Sequence, residues 1–186
     1  TLAAVRAGTD LSDERQLVRV MEEHRFDFEA AQGKMLVSID GRDVTDALRD
    51  SELTAKGRFA AAAPRVRERL VQMQRAFAAR HERIVTEGRD QGTVVFPEAN
   101  VKFYLTADVR ERARRRQAEL DARGLPADLE QIRQAIEARD RSDENRAVGP
   151  LKPASDAVMV DTTDLSIWEV VERVYRYVEE RCSRSV

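Results

Sequence analysis

Apolar residues recur at helical spacing in several stretches of the chain, most clearly in the stretch that begins at Pro64. Val66, Leu70, Met73 and Phe77 follow one another at intervals of four, three and four residues, which places them on one face of an α-helix. Proline is favoured at the first position of a helix. The pattern therefore predicts a long amphipathic helix that opens at Pro64 and buries one side.

The same periodicity, together with capping residues, predicts helices in five other places. They end at Gly8, open at Ser12, open at Thr106, follow the break at residues 124–126 and open at Ser166. Ser12 and Ser166 carry hydroxyl groups, which accept hydrogen bonds from the free amides of a first helical turn. Glu169 stands three residues after Ser166, so these two residues predict a capping box.

Short apolar runs between the helices predict strands. Alternating apolar and polar residues between positions 26 and 44, with glycines at 33 and 41, predict short antiparallel strands. Three other runs, at residues 84–85 (the start of a strand that stops at Gly88), 101–105 and 157–160, alternate with helices along the chain. This alternation predicts an α/β fold with a parallel sheet, into which the stretch 26–44 is inserted.

Polar residues follow the first and third of these runs. Arg89 and Asp90 follow the run at 84–85, and Asp161 follows the run at 157–160. Ligands collect at the carboxyl ends of parallel strands. Arg89 suits a phosphate group and Asp90 suits the hydroxyl groups of a sugar. The alternative from these residues alone is a simple Arg–Asp pair on the surface.

A second charged cluster lies near the end of the helix that follows residues 124–126. If that helix continues, Arg139, Asp143 and Arg146 stand at positions i, i+4 and i+7 and share one face. They form either part of a binding site or a solvated ladder of ion pairs. A third group, the arginines of residues 110–116, must surround its helix, so not all of them can reach one ligand.

Composition limits the classes of function that these clusters suit. The 186 residues carry a net charge of −2, and only four of the 32 basic residues are lysine. Arginine suits phosphate and carboxylate groups, although a GC-rich genome gives the same bias. The low net charge and the lack of an aromatic stacking motif argue against a nucleic-acid-binding protein.

The remaining composition indicates a cytoplasmic protein. Cys182 is the only cysteine, which excludes a disulfide within one chain and a zinc site built on cysteines. No apolar run approaches the length that spans a membrane, and the first residues show no secretory pattern. We therefore expect neither a membrane partner nor a metal site of that kind.

Four segments together resemble the bacterial cytidylate kinases, also called (d)CMP kinases, along nearly the whole chain. They are GRDVTDALRDSEL, PRVRERLVQMQR, EGRDQGTVVFPEANVKFYLTA and RDRSDENRAVGPLKPASDAVMVDTTDLSI. The resemblance implies a P-loop nucleoside monophosphate kinase fold, an α/β fold whose parallel sheet has helices on both faces. It implies one domain over residues 1–186, with a β-rich monophosphate-binding insertion at 25–63 and a helical lid at 107–150.

The resemblance also implies the reaction and the residues that serve it. The family transfers the γ-phosphoryl group of ATP, with Mg²⁺, to CMP or dCMP, and we expect a monomer. The implied substrate-binding residues are Arg67, Arg89, Asp90, Arg139, Asp143 and Arg146, of which Arg89, Arg139 and Arg146 are also catalytic. Arg67, Asp143 and Arg146 are matched to the cytosine base, Arg89 and Arg146 to the phosphate, and Asp90 and Arg139 to the ribose. Arg112 and Arg116 match lid arginines that meet ATP, and no metal ligand is assigned.

The chain departs from the family pattern at its start. No glycine begins the pattern GxxxxGK[ST], which binds the ATP phosphates and magnesium. We expect a chain truncated before Thr1, with its first strand and main ATP and Mg²⁺ ligands absent, and inactive as written. The alternative is a non-catalytic CMP-binding remnant or an interaction module. Arg58 also stands where relatives often carry a small hydroxyl residue, so either it crowds the base pocket or the local alignment with the family is shifted.

Overall fold

A computed structural model describes residues 1–31 and 33–183, apart from the side chains of Ser51 and Cys182. The chain divides into two compact units, Thr1–Val85 and Thr86–Val186. The single domain, the insertion at 25–63 and the lid at 107–150 stay predictions.

The first unit combines helices with a small antiparallel sheet. Its elements are α1 (Leu2–Arg6), α2 (Glu14–Glu23), β1 (Phe26–Ala31), β2 (Lys34–Ile39), β3 (Arg42–Asp43), a 3₁₀ turn (Ala47–Arg49), α3 (Ser51–Ala62) and α4 (Pro64–Ala78). The strands lie in the order β1-β2-β3, and Phe26 lies opposite Ile39. This confirms the predicted antiparallel strands and the helix that opens at Pro64.

The cap of α2 differs from the prediction. Asp13, not Ser12, caps this helix, and its carboxylate accepts hydrogen bonds from the amides of Arg15 (2.8 Å) and Gln16 (3.4 Å). Ser12 instead donates its hydroxyl to Asp10 at 2.7 Å. The prediction of a Ser12 cap is wrong because a carboxylate one residue later satisfies the same amides and also interacts favourably with the helix dipole.

The core of the first unit joins its helices. It contains Ala3, Ala4, Leu17, Val20, Ala63 and Val66, and Phe26 and Ile39 of the sheet pack against it. The core therefore lies where α1, α2 and the start of α4 meet one face of the antiparallel sheet.

Replacing Val66 with alanine is expected to lower the free energy of unfolding by about 1.5 kcal/mol, because two buried methyl groups are removed. Val66 is 3% exposed. Urea unfolding followed by circular dichroism measures the change. Val5→Ala is the matched control, since Val5 is a helical valine that is 37% exposed, and we expect it to change stability by less than half as much. Equal effects for the two variants would contradict the assignment of Val66 to the core.

The second unit contains a parallel pair of strands with helices between them. Its elements are a π-type turn (Gln91–Val95), β4 (Phe103–Thr106), α5 (Val109–Ala122), α6 (Leu129–Glu144), β5 (Val158–Asp161) and α7 (Ile167–Ser183). Phe103 lies opposite Val158, and Thr106 lies opposite Asp161. The α/β class with a small parallel sheet is thereby confirmed. None of the described helices combines the length and apolar character needed to cross a membrane.

The prediction that the arginine helix opens at Thr106 is wrong, because Thr106 pairs with Asp161 as the last residue of β4. Helix α5 begins at Val109 and is capped by Asp108, whose carboxylate accepts a hydrogen bond from the amide of Arg110 at 2.8 Å.

The end of α5 and the start of α7 follow the predicted signals. Gly124 adopts a φ of +69° just beyond α5, a conformation that favours glycine and ends the helix. The Ser166 hydroxyl accepts a hydrogen bond from the amide of Glu169, whose carboxylate accepts from the amide and hydroxyl of Ser166. This capping box lowers the pKa of Glu169 and confirms the predicted start of α7.

The prediction of a strand at residues 84–85 is wrong. Ile84 and Val85 belong to no helix or strand, and Val85 is fully exposed. A strand needs a neighbour to satisfy its backbone amides and carbonyls, and no described strand pairs with these residues. Arg89 and Asp90 therefore follow an irregular segment rather than the end of a strand.

Candidate functional site

A tight turn fixes the backbone at Arg89 and Asp90. The carbonyl oxygen of Asp90 accepts hydrogen bonds from the amides of Thr93 (3.3 Å), Val94 (2.9 Å) and Val95 (3.2 Å). Asp90 is 7% exposed and Val95 is 1% exposed. Because the turn starts at Asp90 and is buried at its far end, the two polar residues have a defined position without a strand before them.

Arginines from two segments surround the carboxylate of Asp143 near the end of α6. Its Oδ2 atom lies 3.3 Å from Nε of Arg89 and 3.8 Å from Nε of Arg139, and its Oδ1 atom lies 3.8 Å from Nη1 of Arg146. We call these four residues the Asp143 cluster. Arg89 comes from a distant part of the sequence, so the cluster is more than a ladder of ion pairs along one helix.

A glycine turn holds Arg146 beside Asp143 although α6 has already ended at Glu144. Nη2 of Arg146 donates a hydrogen bond to the carbonyl of Gly149 at 2.8 Å, and the amide of Leu151 donates to the carbonyl of Asp143 at 2.9 Å. Gly149 is buried and adopts a φ of +60°, which other residues rarely adopt. The chain thus folds back onto the end of the helix.

The Asp143 cluster carries an excess of positive charge and retains polar groups that suit a ligand. The side chains of Asp143 and Arg146 are only 16% and 13% exposed. In the described part of the chain, Oδ2 of Asp143 and Nε of Arg146 are buried and make no hydrogen bond. Buried polar atoms are usually paired in proteins. The arrangement therefore suits a ligand that brings both an anion and a hydrogen-bonding group.

The two arginines predicted to meet ATP lie outside this cluster. On α5, Nη1 of Arg112 lies 2.6 Å from Oδ2 of Asp140, and its Nε donates to the carbonyl of Ala107 at 3.1 Å. Arg116 pairs with Glu119 of its own helix at 2.9 Å. Arg112 is thus held against α6, whereas Arg116 is half-exposed.

Two further residues singled out from the sequence lie in the first unit. Arg67 belongs to α4 and is half-buried. Arg58 belongs to α3, is exposed, and places its guanidinium 4.9 Å from the ring centre of Phe59. The guanidinium of Arg58 therefore rests on an aromatic ring of its own helix.

The end of β5 forms a polar network with α5. The carboxylate of Asp161 accepts hydrogen bonds from the amide and the hydroxyl of Thr163, which lower the pKa of Asp161. Arg115 donates to the hydroxyl of Thr162 at 3.1 Å and to its carbonyl at 2.5 Å. These side chains satisfy one another, so this strand end ties α5 to the sheet.

The family model for cytidylate kinase matches residues 1–180 of the chain. The chain belongs to the cytidylate kinase family. A cytidylate kinase of Anoxybacillus flavithermus is 42% identical over 97% of this chain and 80% of the relative. One of Geobacillus sp. strain WCH70 is 43% identical over the same shares. One of Pseudomonas aeruginosa is 42% identical over 96% of this chain and 79% of the relative.

The cytidylate kinase family is a family of nucleoside monophosphate kinases, which are transferases. Cytidylate kinases use ATP and Mg²⁺. The described residues contain no group of three or more His, Cys, Asp or Glu side chains that could hold a metal ion.

Asp140 is a residue that sequence reasoning missed. It stands three residues before Asp143 and so lies near the same side of α6. That spacing is the signal that would have found it. Its partner, Arg112, belongs to another helix, and helical periodicity does not predict contacts between helices.

The Arg112–Asp140 pair is expected to couple α5 to α6 by about 1 kcal/mol, because the pair is partly shielded from water. Its side chains are 35% and 19% exposed. A double-mutant cycle of Arg112→Met and Asp140→Asn, followed by urea unfolding, measures this energy. The control cycle uses Arg116→Met and Glu119→Gln, whose side chains are 50% and 63% exposed. No coupling in the first cycle, or equal coupling in both, would contradict the claim that the Arg112–Asp140 pair holds α5 against α6.

Proposed function

We propose that this chain carries the nucleotide-acceptor site of a (d)CMP kinase, which transfers the γ-phosphoryl group of ATP to CMP or dCMP to give CDP or dCDP. The observation that carries the proposal is the Asp143 cluster, in which one shielded carboxylate meets arginines from two distant segments. CMP offers a complement to both charges, since it has an anionic phosphate and a base with an exocyclic amino group.

The arginines of the cluster are proposed to bind the phosphate of CMP. Arg89 is 40% exposed at its side chain and Arg146 is 13% exposed, so Arg89 has more freedom to move from Asp143 to a ligand. The planar guanidinium group binds phosphate oxygens in pairs. Phosphoryl transfer depends mainly on alignment and on positive charge where negative charge shifts, which gives Arg89, Arg139 and Arg146 their proposed catalytic part.

Asp143 is proposed to select cytosine. Its carboxylate accepts hydrogen bonds only, so it suits the amino group at C4 of cytosine. Uracil presents a carbonyl oxygen at that position, and two acceptors facing each other cost about 1–3 kcal/mol. Arg146 is proposed to support the base, and the contact of Arg67 with the base stays a prediction from the resemblance.

Asp90 and Arg139 are proposed to face the sugar of the bound nucleotide. The backbone of Asp90 is fixed by the turn that starts there, and a carboxylate accepts hydrogen bonds from ribose hydroxyls. Arg139 is the most exposed member of the cluster, at 65% of its side chain. This exposure leaves room for a sugar beside it.

The ATP side is proposed to involve Arg112 and Arg116, with Arg112 stacked on the adenine. Release of Arg112 from Asp140 would then accompany closure of the proposed lid, residues 107–150, over the nucleotides, which excludes water from the reaction.

The sequence contains no GxxxxGK[ST] loop. We therefore expect the chain as given to bind CMP without transferring phosphoryl groups. We still predict that the protein is cytoplasmic and monomeric, and that it binds neither nucleic acid nor membranes.

Calorimetric titration with CMP, dCMP, UMP and AMP tests the proposed acceptor site. We expect CMP and dCMP to bind and UMP to bind about tenfold or more weakly. A folded chain that binds none of these nucleotides, or that prefers AMP, would overturn the proposal.

Chromatographic detection of CDP after incubation with ATP, Mg²⁺ and CMP tests turnover separately. A chain that binds CMP without forming CDP supports a CMP-binding unit, whereas CDP formation would show that the chain transfers phosphoryl groups without the glycine-rich loop.

A further inference from the structure

We infer that Lys102 is a positioning residue for the acceptor site, because its ammonium group joins the two segments that carry the Asp143 cluster. This inference rests on the proposed function. Lys102 is the residue directly before β4, and its side chain is only 8% exposed. Lysine is rarely buried to this extent without a partner.

The ammonium group of Lys102 binds the far ends of both segments. Its Nζ atom lies 2.9 Å and 2.7 Å from the two carboxylate oxygens of Asp156, and it donates a hydrogen bond to the carbonyl of Pro97. Residues 89–97 begin with Arg89, and residues 143–156 begin with Asp143. One side chain therefore fixes the spacing between the two segments at the end away from the cluster.

The aliphatic part of Lys102 supports the turn that starts at Asp90. A Cβ atom built on Gly92 would lie 3.2 Å from Cδ of Lys102 and 3.7 Å from Cβ of Ala154. The backbone of the turn therefore rests directly on the lysine stem and on the segment that leads to Asp156. A side chain at position 92 would push the turn away from this support.

The backbone of Lys102 is itself fixed to the sheet. Its carbonyl accepts a hydrogen bond from the amide of Val158 at 2.8 Å, at the start of β5. The hydrogen bond from Lys102 also lowers the pKa of Asp156, so this carboxylate stays charged at neutral pH. Lys102 thus holds the turn in a fixed position relative to the sheet, although no strand precedes the turn.

Hydrogen exchange of the amides of Val94 and Val95 tests the support of the turn without any ligand. Both amides donate to the carbonyl of Asp90. In Lys102→Met, which keeps the length of the stem, we expect these amides to exchange about tenfold faster, while the amides of β1 and β2 are unchanged. Lys152→Met is the matched control, since Lys152 is exposed in the same unit, and it should leave all these rates unchanged.

Calorimetry with CMP and with cytidine then tests the effect on the site. We expect Lys102→Met to weaken CMP binding about tenfold and to weaken cytidine binding less, because Arg89 and Asp90 lose their alignment while the base contact at Asp143 is kept. Asp156→Asn keeps the lysine and weakens the same pair, so it should change exchange and binding in the same direction. It serves as the test variant if Lys102→Met does not fold.

The outcomes separate this inference from the proposed function. Unchanged exchange at Val94 and Val95 would show that Lys102 does not hold the turn and would overturn the inference. Faster exchange with unchanged CMP affinity would show that the support is structural only, which also overturns it. A wild-type chain that binds no CMP would refute the proposed function, and with it the positioning role, while the exchange rates would still report whether Lys102 supports the turn.

Discussion

Replacing Arg89 with methionine is expected to weaken CMP binding by about a hundredfold, because a guanidinium group that pairs with a shielded anion is lost. Arg89 lies 3.3 Å from the carboxylate of Asp143 without a ligand. In the proposed complex it exchanges this carboxylate for the phosphate of CMP. The loss should therefore depend on the phosphate, and cytidine, which has none, should bind the variant nearly as well as the wild-type chain.

The comparison of CMP with cytidine makes the Arg89 experiment specific. Isothermal titration calorimetry gives both dissociation constants, and circular dichroism checks that the variant is folded. Arg141→Met is the matched control, because Arg141 is an exposed arginine of α6 outside the Asp143 cluster. The proposed phosphate contact is wrong if Arg89→Met binds CMP within a factor of two of wild type, or if CMP and cytidine weaken equally.

Elements with strong local signals could be predicted from the sequence. The four apolar residues that follow Pro64 at helical spacing predicted α4, and Ser166 with Glu169 predicted the start of α7. Alternation between Phe26 and Val44 predicted the antiparallel strands. In each case the residues that specify the element lie within it, so no distant contact had to be known.

Elements without such signals could not be predicted. Helix α3 has alanine on most sides and no apolar stripe, and Asp50 caps it through the amide of Leu53 at 2.8 Å. The run at 84–85 looked like a strand because it is apolar, but strand formation depends on a neighbour elsewhere in the chain. Whether Ser12 or Asp13 caps α2 depends on a shift of one residue in the start of the helix. Residue propensities do not resolve so small a shift.

The candidate site likewise has a part that could be predicted from the sequence and a part that could not. Helical spacing placed Arg139, Asp143 and Arg146 together, and the structure brings them together even though α6 ends before Arg146. The contact of Arg89 with Asp143 joins residues far apart in sequence, and only the resemblance to cytidylate kinases linked them beforehand. The pairs Arg112–Asp140 and Lys102–Asp156 are equally long-range, and no periodicity predicts them.

Replacing Asp143 with asparagine is expected to remove most of the preference for CMP over UMP. A carboxylate only accepts hydrogen bonds, whereas an asparagine amide either accepts or donates. It can therefore turn its carbonyl toward the amino group of cytosine or its amide toward O4 of uracil. We expect CMP to bind at least about tenfold more weakly and UMP to bind more tightly than to the wild-type chain. Competition titrations with both nucleotides measure the ratio.

The same substitution removes the counter-ion of the cluster, so its effect on stability must be separated from its effect on selectivity. Asp143 is 16% exposed and faces Arg89, Arg139 and Arg146, so its neutralisation is expected to cost about 1–3 kcal/mol of unfolding free energy. Glu144→Gln is the control, since Glu144 is the exposed neighbour at the end of α6. A loss of stability alone weakens the binding of both nucleotides by the same factor, whereas loss of the hydrogen-bond acceptor changes the ratio of their dissociation constants. If the ratio of the CMP and UMP dissociation constants is unchanged in Asp143→Asn, Asp143 does not recognise the base, however unstable the variant is.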